Sequence, residues 1–433
     1  MSRASSATAT STAANIAKRC AREAARGGVV SRALTLAVAL PVLFGCAAQP
    51  RRAAVPAALR HEVEVILAGT PGAIRYRVGD ARDEQLLASE FAQSWKRERE
   101  HLASRGQEGT LPPAAFLTLS GGGDNGAFAA GLLGGWSAAG ERPQFKLVTG
   151  ISTGALIAPF AFLGPAYDGL LREFYTTTSR ADIVEELPIL SALTGEAVLD
   201  TKPLREKLRR HVDRAFLEAV AAEYRKGREL WIATTDLDNL QRYIWNLTRI
   251  AASPDPGAVD LFISLMLASA SIPGAFPPVL IEVEAGGVQY HEMHVDGGAM
   301  AQVFVYPLGL DFDALAAEHN ASRRRSIYVV RNARLEPESV QVERRSYSIA
   351  SRAIAALIQS QGVGDLYRIY LAAQRDGLDY NLAYIPSSFE ATRRELFDTA
   401  YMRALYRFGY DLALRGYPWE KQPPDYALPR HSR

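Results

Sequence analysis

The chain has little cysteine: among its 433 residues only Cys20 and Cys46 carry a thiol. No cysteine follows position 46, so no internal disulfide can hold the body of the protein together. A bilayer-spanning run is missing too, because the apolar stretch Ala33 to Phe44 falls short of the roughly 20 residues a span needs. Charge of one sign is also scarce. The formal net charge is +2, and residues 1–45 hold Arg3, Lys18, Arg19, Arg22, Arg26 and Arg32 against Glu23. That segment carries +5, which leaves −3 for the remainder and no basic footprint for nucleic acid. What is present is ordinary for a folded protein with a real core: 48% hydrophobic and 22% charged residues, long enough for one large domain or two small ones. No internal repeat is visible.

The most informative stretch runs from 116 to 154, FLTLSGGGDNGAFAAGLLGGWSAAGERPQFKLVTGISTG. Phe116–Leu119 and Phe145–Val148 are short apolar runs with the glycine flanks of buried strands. Between them Asn125 to Ala138 is rich in Ala, Leu and Phe, as a helix packed on a sheet would be. A strand, loop, helix and strand in that order predict parallel strands with a right-handed crossover. The second strand enters Gly150-Ile151-Ser152-Thr153-Gly154 and then an apolar helix, Ala155 to Leu163. A nucleophile at a sharp strand-to-helix turn needs small neighbours, which Gly150 and Gly154 supply to Ser152.

Gly121-Gly122-Gly123-Asp124-Asn125-Gly126 admits several readings. It fits G-x-G-x-x-G, but a dinucleotide site wants an acid ending the second strand, and that strand ends in Val148-Thr149-Gly150. A phosphate loop is ruled out because no G-K-[ST] closes the run. An oxyanion hole uses backbone amides at a helix start, and three glycines in a row suit it. A merely tight turn would need one.

With Val295-Asp296-Gly297-Gly298 and the block Ala268-Ser269-Ala270-Ser271-Ile272-Pro273, these motifs resemble the patatin-like phospholipase family over about 116 to 332. The resemblance implies an α/β fold of three layers, a mainly parallel central sheet flanked by helices. It implies a serine acyl hydrolase cleaving lipid esters, with Ser152 and Asp296 as catalytic dyad and the amides of Gly121, Gly122 and Gly123 as oxyanion hole. Gly126, Gly150, Gly154, Gly297 and Gly298 are its motif glycines. Where the family usually has Arg or Lys, this chain has Asn125. A histidine following the acid, as in an α/β-hydrolase triad, is offered only by His319 and His431, so a dyad fits better. His291 and His294 lie three apart on a strand and face opposite ways, so no metal is expected, and no cofactor. Asp236 and Asp238 are further candidate acids in a loop.

The N-terminus reads as a targeting segment. A basic leader and the apolar run end in Leu43-Phe44-Gly45-Cys46, which resembles a bacterial lipoprotein box with Cys46 as the lipidated residue. That gives a signal peptide over 1–45 and a membrane partner through the lipid anchor. The location expected is the cell envelope, at the outer membrane facing the periplasm, since Ala47 is not the inner-membrane retention aspartate. Residues 46–83 are expected to be a tether of little structure, 84–104 a charged helix capping the sheet, and 333–433 a helical extension packed on the catalytic domain. Helices are expected at 203–226, 346–361, 365–374 and 397–414, strands at 230–235, 242–247, 279–283, 290–295, 326–330 and 382–385, and a loose tail after Gly416. The apolar run Leu187–Leu193 is either a lid over an acyl groove or a buried helix start. The competing function is a non-catalytic envelope lipoprotein that binds lipid or a partner on the same scaffold.

Overall fold

In the computed structural model, the residues described are 51–70, 72–186, 196–336 and 339–426. Residues 1–45, expected to be a signal peptide, Cys46 and the run 187–193 therefore lie outside the described residues.

In chain order the elements begin with β1 Glu64–Val65, β2 Arg75–Arg77, α1 Ala81–Ala103, β3 Ala114–Leu119, α2 Gly126–Ala138, β4 Phe145–Gly150, α3 Thr153–Leu163 and α4 Asp168–Thr176. The short strands β5 Glu185–Glu186 and β6 Leu199–Asp200 pair with each other. Then come α5 Lys202–Arg209, α6 Arg214–Arg225, β7 Glu229–Asp236, β8 Gln241–Asn246, α7 Leu247–Ala252, α8 Ala258–Ala270, β9 Val279–Ala285 and β10 Val288–Asp296. The chain closes with α9 Phe312–Glu318, β11 Arg325–Arg331, α10 Ser346–Arg375, β12 Leu378–Tyr384 and α11 Thr399–Leu414.

The main sheet runs β1-β9-β10-β7-β4-β3-β11-β12, with β8 paired to β7 and β2 to β8. Its centre, β7-β4-β3-β11-β12, is parallel; β9, β10 and the short strands add on antiparallel. β3 and β4 are buried at every residue, as a parallel strand covered on both faces must be. One apolar core lies between the sheet and α2, α3, α6 and α8, and a second lies between its other face and α1, α9 and α10. This is the three-layer α/β arrangement expected.

The glycines of α2 have a packing role. A Cβ on Gly131 would collide with the carbonyl oxygen of Tyr406, and one on Gly135 with that of Tyr410, so α11 lies with its backbone directly on α2. The helix that follows the first glycine loop is thus fixed between sheet and α11.

Several boundaries differ from expectation for identifiable reasons. Residues 51–78 are not a tether. Val55, Ile74 and Tyr76 are buried, β1 pairs with β9, β2 with β8, and Arg75 pairs with the buried Glu292. α1 starts at 81 because the Asp80 carboxylate accepts from the amides of Arg82 and Asp83. It is anchored by buried ions: Glu90 accepts from Arg97 at 2.7 Å and from Arg249, and Arg97 also reaches Glu229 at 2.6 Å. The expected 203–226 helix is two, α5 and α6, restarted by the Asp213 cap. α10 is one helix rather than two because Gly362 makes room for the Arg331 guanidinium instead of breaking the turn. The C-terminal part is packed on the rest but is more than a helical extension. β12 is a strand of the central sheet, and Glu420 exchanges backbone hydrogen bonds with Leu382 while Trp419 packs on Trp136.

Candidate active site

Three loops meet at one edge of the sheet. β3 leads into the glycine loop, β4 into the turn at Ser152, and β10 ends at Asp296. Gly150 pairs with Ile232 in β7, and Asp296 pairs with Thr234 two residues further along that strand. Ser152 lies two residues past Gly150, so antiparallel β10 carries Asp296 to its level.

Ser152 holds φ 54° and ψ −126°, a left-handed conformation costly for a residue with a Cβ. It is only 6% exposed, at the N-terminus of α3. Close backbone passage is what the flanking glycines permit: a Cβ on Gly150 would strike the Gly154 carbonyl, and one on Gly154 the Leu119 carbonyl. The Ser152 amide donates to Ser269 Oγ at 3.1 Å, and Ser269 Oγ donates to the Ala233 carbonyl at 2.7 Å.

The Ser152 hydroxyl is close enough to the Asp296 carboxylate to favour its ionised form. Asp296 accepts from the Gly298 amide at 2.7 Å, and its own amide donates to the Ser271 carbonyl at 2.9 Å. Burial pushes its pKa up to about 7, although the nearby Ser152 hydroxyl and the Gly298 amide both favour the ionised form. Gly297 lets the strand end pass close over the Ala233 carbonyl. A side chain on Gly298 would crowd the Asp296 carboxylate.

In the glycine loop, the Gly121 amide donates to the Gln302 carbonyl at 3.0 Å. Gly121 is therefore a scaffold residue and not, as expected from the sequence, a free oxyanion donor. Gly122 has φ 154°, and a Cβ there would collide with the Asn332 carbonyl. Gly123 has φ 58° and lines the cavity beside Ser152. Gly126 abuts the Thr153 hydroxyl, which shares a 2.5 Å hydrogen bond with Tyr175.

Asn332 braces this loop from the next strand. Its side chain donates to the Ser120 carbonyl at 2.9 Å and accepts from the Ala129 amide at 3.2 Å. The buried Asp124 accepts from Arg393 at 2.8 Å and from the Phe397 amide at 3.1 Å, and Asn125 accepts from Tyr401 at 2.7 Å. So the loop, which has no cation of its own, has one beside it from the segment preceding α11.

A cavity opens at Ser152 and Gly123. It is narrow, with about 70 Å³ open to a water-sized sphere, and is lined by Leu156, Phe160, Leu171, Phe174, Leu204, Leu208, Phe276 and Met402, among others. Its polar lining groups are few, the hydroxyls of Ser152, Thr153, Tyr175 and Thr178.

Residues 117–308 match the family model described as patatin-like phospholipase. This segment is a patatin-like phospholipase domain. The match takes in the glycine loop, the serine turn and the aspartate loop, whereas Asn332, Arg393 and Tyr401 lie beyond it. Two solved structures resemble the chain at 12% identity. VipD from Legionella pneumophila is matched over 70% of this chain and 66% of its own with a TM-score of 0.30. The human GIVD cytosolic phospholipase A2 is matched over 66% and 52% with a TM-score of 0.29. The chain thus covers less than two thirds of the length of either. No curated protein matches.

The other candidates from the sequence sit apart from the patatin-like site. Asp236 is buried and accepts from Asn239 at 2.6 Å and from the Asp238 amide at 3.0 Å, while Asp238 pairs with Arg51 at 2.7 Å. His294 is enclosed between Thr234 Oγ1 at 2.8 Å and Glu292 at 3.1 Å, and His291 Nδ1 accepts from the Arg52 amide. Reading the sequence did not find Ser269, Asn332, Gln302 or Arg393. Ser269 lay in a block already singled out, but the other three carry no local signal.

Proposed function

We propose that the protein hydrolyses carboxylic esters of lipids through Ser152 and Asp296. The observation that carries this reading is a strained, buried serine beside a buried aspartate at the mouth of an apolar cavity. In the reaction, Ser152 Oγ attacks the ester carbonyl and its proton passes to Asp296. A carboxylate whose pKa is raised to about 7 is a competent base near neutral pH, where an ordinary one near 4 is weak. The oxyanion is held by the amides of Gly122 and Gly123 at the start of α2, helped by the N-terminus of α3. Collapse expels the alcohol, which takes the proton from Asp296, and leaves an acyl-enzyme. Water then attacks the acyl carbonyl, giving its proton to Asp296, and the free acid leaves with Ser152 restored.

The cavity is the acyl site of this scheme. Its walls are aliphatic and aromatic and offer nothing for a charged headgroup to pair with, so the acyl chain enters and the headgroup stays at the mouth. Residues 1–45 as signal peptide, an acyl-modified Cys46 and an envelope location complete the proposal; they rest on the residue pattern of the leader alone.

A fluorophosphonate probe tests the reading. It should label the wild type covalently and leave Ser152→Ala unlabelled. Labelling elsewhere with Ser152 untouched, or none in a folded wild type, would favour a binding protein on this scaffold.

A further inference from the structure

The N-terminal half of α10 has no place in the chemistry above. From Ile349 to Ile358 the helix exposes its large aliphatic side chains: Ile349 is 54% exposed, Ile354 56%, Leu357 70% and Ile358 42%. Alanines 350, 353, 355 and 356 between them are exposed as well. Residues 346–360 would be about 22 Å long at 1.5 Å per residue. Val340 and Val342, in the approach to the helix, are also exposed.

The distribution of these side chains limits what can cover them. Ile349 and Ile358 are nine residues apart and so lie on roughly opposite sides of the helix, at about 100° per residue. A protein groove covers one stripe of a helix, leaving the opposite face polar. Here the exposed aliphatic residues spread over about half the circumference, with Ser348, Arg352 and Gln359 as a half-exposed polar stripe on another side, a breadth that suits a lipid surface better than one protein groove.

Charge points the same way. Between positions 344 and 364 the charged residues are Arg344, Arg345 and Arg352, with no Asp, Glu or Lys. The nearest acids are Glu343, which pairs with Arg345 at 3.4 Å, and Asp365 at the buried end of the segment. No helix among the described residues is long and apolar enough to cross a membrane. An apolar segment with arginines and too short to span lies in an interface.

Its root adjoins the catalytic loops. Gln361 accepts from Gln302 Nε2 at 3.3 Å, and the same nitrogen donates to the Gly298 carbonyl at 2.8 Å. Gln359 donates to the Leu335 carbonyl at 2.7 Å and accepts from Arg331 at 2.8 Å, so the exposed half grows from a fixed base.

We propose that residues 346–360 insert into the surface of an anionic lipid bilayer and hold the active-site edge against it. The link to substrate delivery rests on the lipid-ester reading; the binding itself does not. The test is flotation of residues 47–433, which lack the basic, apolar leader and Cys46 but keep every described residue, with phosphatidylglycerol–phosphatidylcholine vesicles. Ile354→Glu with Leu357→Glu should weaken binding at least tenfold, since each buried aliphatic side chain contributes about that much or more. Thermal unfolding should be unchanged, because both side chains are in solvent in the folded protein. Arg344→Ala with Arg345→Ala should remove most of the preference for the anionic lipid and its salt dependence.

Ser152→Ala on the same background should still float, which separates this proposal from the fate of the hydrolase reading. Unchanged flotation of the Ile354→Glu, Leu357→Glu protein would overturn the inference. So would a wild type that ignores vesicles and is instead a dimer dissolved by those two substitutions, since the apolar face would then belong to a second copy.

Discussion

The backbone amide of Ser152 donates to Ser269 Oγ at 3.1 Å, and Ser269 Oγ in turn donates to the Ala233 carbonyl at 2.7 Å. One hydroxyl from the last turn of α8 therefore ties the left-handed turn to the neighbouring strand β7. Two residues on, the Ser271 carbonyl accepts from the Asp296 amide. The end of α8 thus sets the position of both members of the proposed dyad without touching substrate.

Ser269→Ala should lower kcat by about ten- to a hundredfold on a short soluble ester, with KM little changed. The substitution leaves the buried Ser152 amide unpaired, a penalty of about 1–3 kcal/mol, and frees a turn held against strain. Ser269→Thr should recover part of the loss. Equal losses in kcat and in stability, with no recovery, would reduce Ser269 to a packing residue.

The raised pKa of Asp296 should make activity and stability depend oppositely on pH. Its folded pKa is about 7 against 3.8 ordinarily, so the folded state holds a proton that the unfolded state has released. Stability from this group is complete below about pH 4 and is lost as pH rises through 7, while kcat/KM rises over the same upper limb. Asp296→Asn should therefore be inactive yet more stable than wild type at pH 8, by up to about 4 kcal/mol for three pK units, with the gain shrinking toward pH 4. Chemical denaturation at both pH values measures it.

Gly131→Leu should destabilise the fold by several kcal/mol. The new side chain has no space, because the Tyr406 carbonyl of α11 already occupies the Cβ position. Overpacking of this kind typically costs about 1–3 kcal/mol, and a backbone obstacle moves less readily than a side chain. The denaturant midpoint is the readout.

Leu208→Trp should shift chain-length preference without altering the chemistry. Leu208 is buried in the cavity wall, on α5. A larger ring there should reduce kcat/KM for long acyl esters about tenfold or more while short esters change little. Equal loss for all lengths would place the acyl chain elsewhere.

Much of the fold was legible because its signals are local. Apolar runs bounded by glycine gave β3 and β4, and the turn at Gly150-Ile151-Ser152-Thr153-Gly154 gave the start of α3. What failed depended on distant partners. Residues 51–78 look featureless until β8 and β9 pair with them, and Arg75 has no visible purpose until Glu292 faces it. Gly362 resembles a helix break in sequence and proves to be room for Arg331. In the site, the sequence could supply the glycines but not say which amide was already engaged; Gly121 is excluded only by the Gln302 carbonyl. Arg393 reaches Asp124 across 269 positions, and no spacing rule carries so far.

The most direct measurement is hydrolysis of a p-nitrophenyl ester series, with a phospholipid alongside, by the wild type, Ser152→Ala and Asp296→Ala. Turnover by the wild type and losses of at least about a thousandfold in each variant are expected, all three proteins being folded. Full turnover by Ser152→Ala, or none by a folded wild type, would contradict the proposed hydrolysis through Ser152 and Asp296.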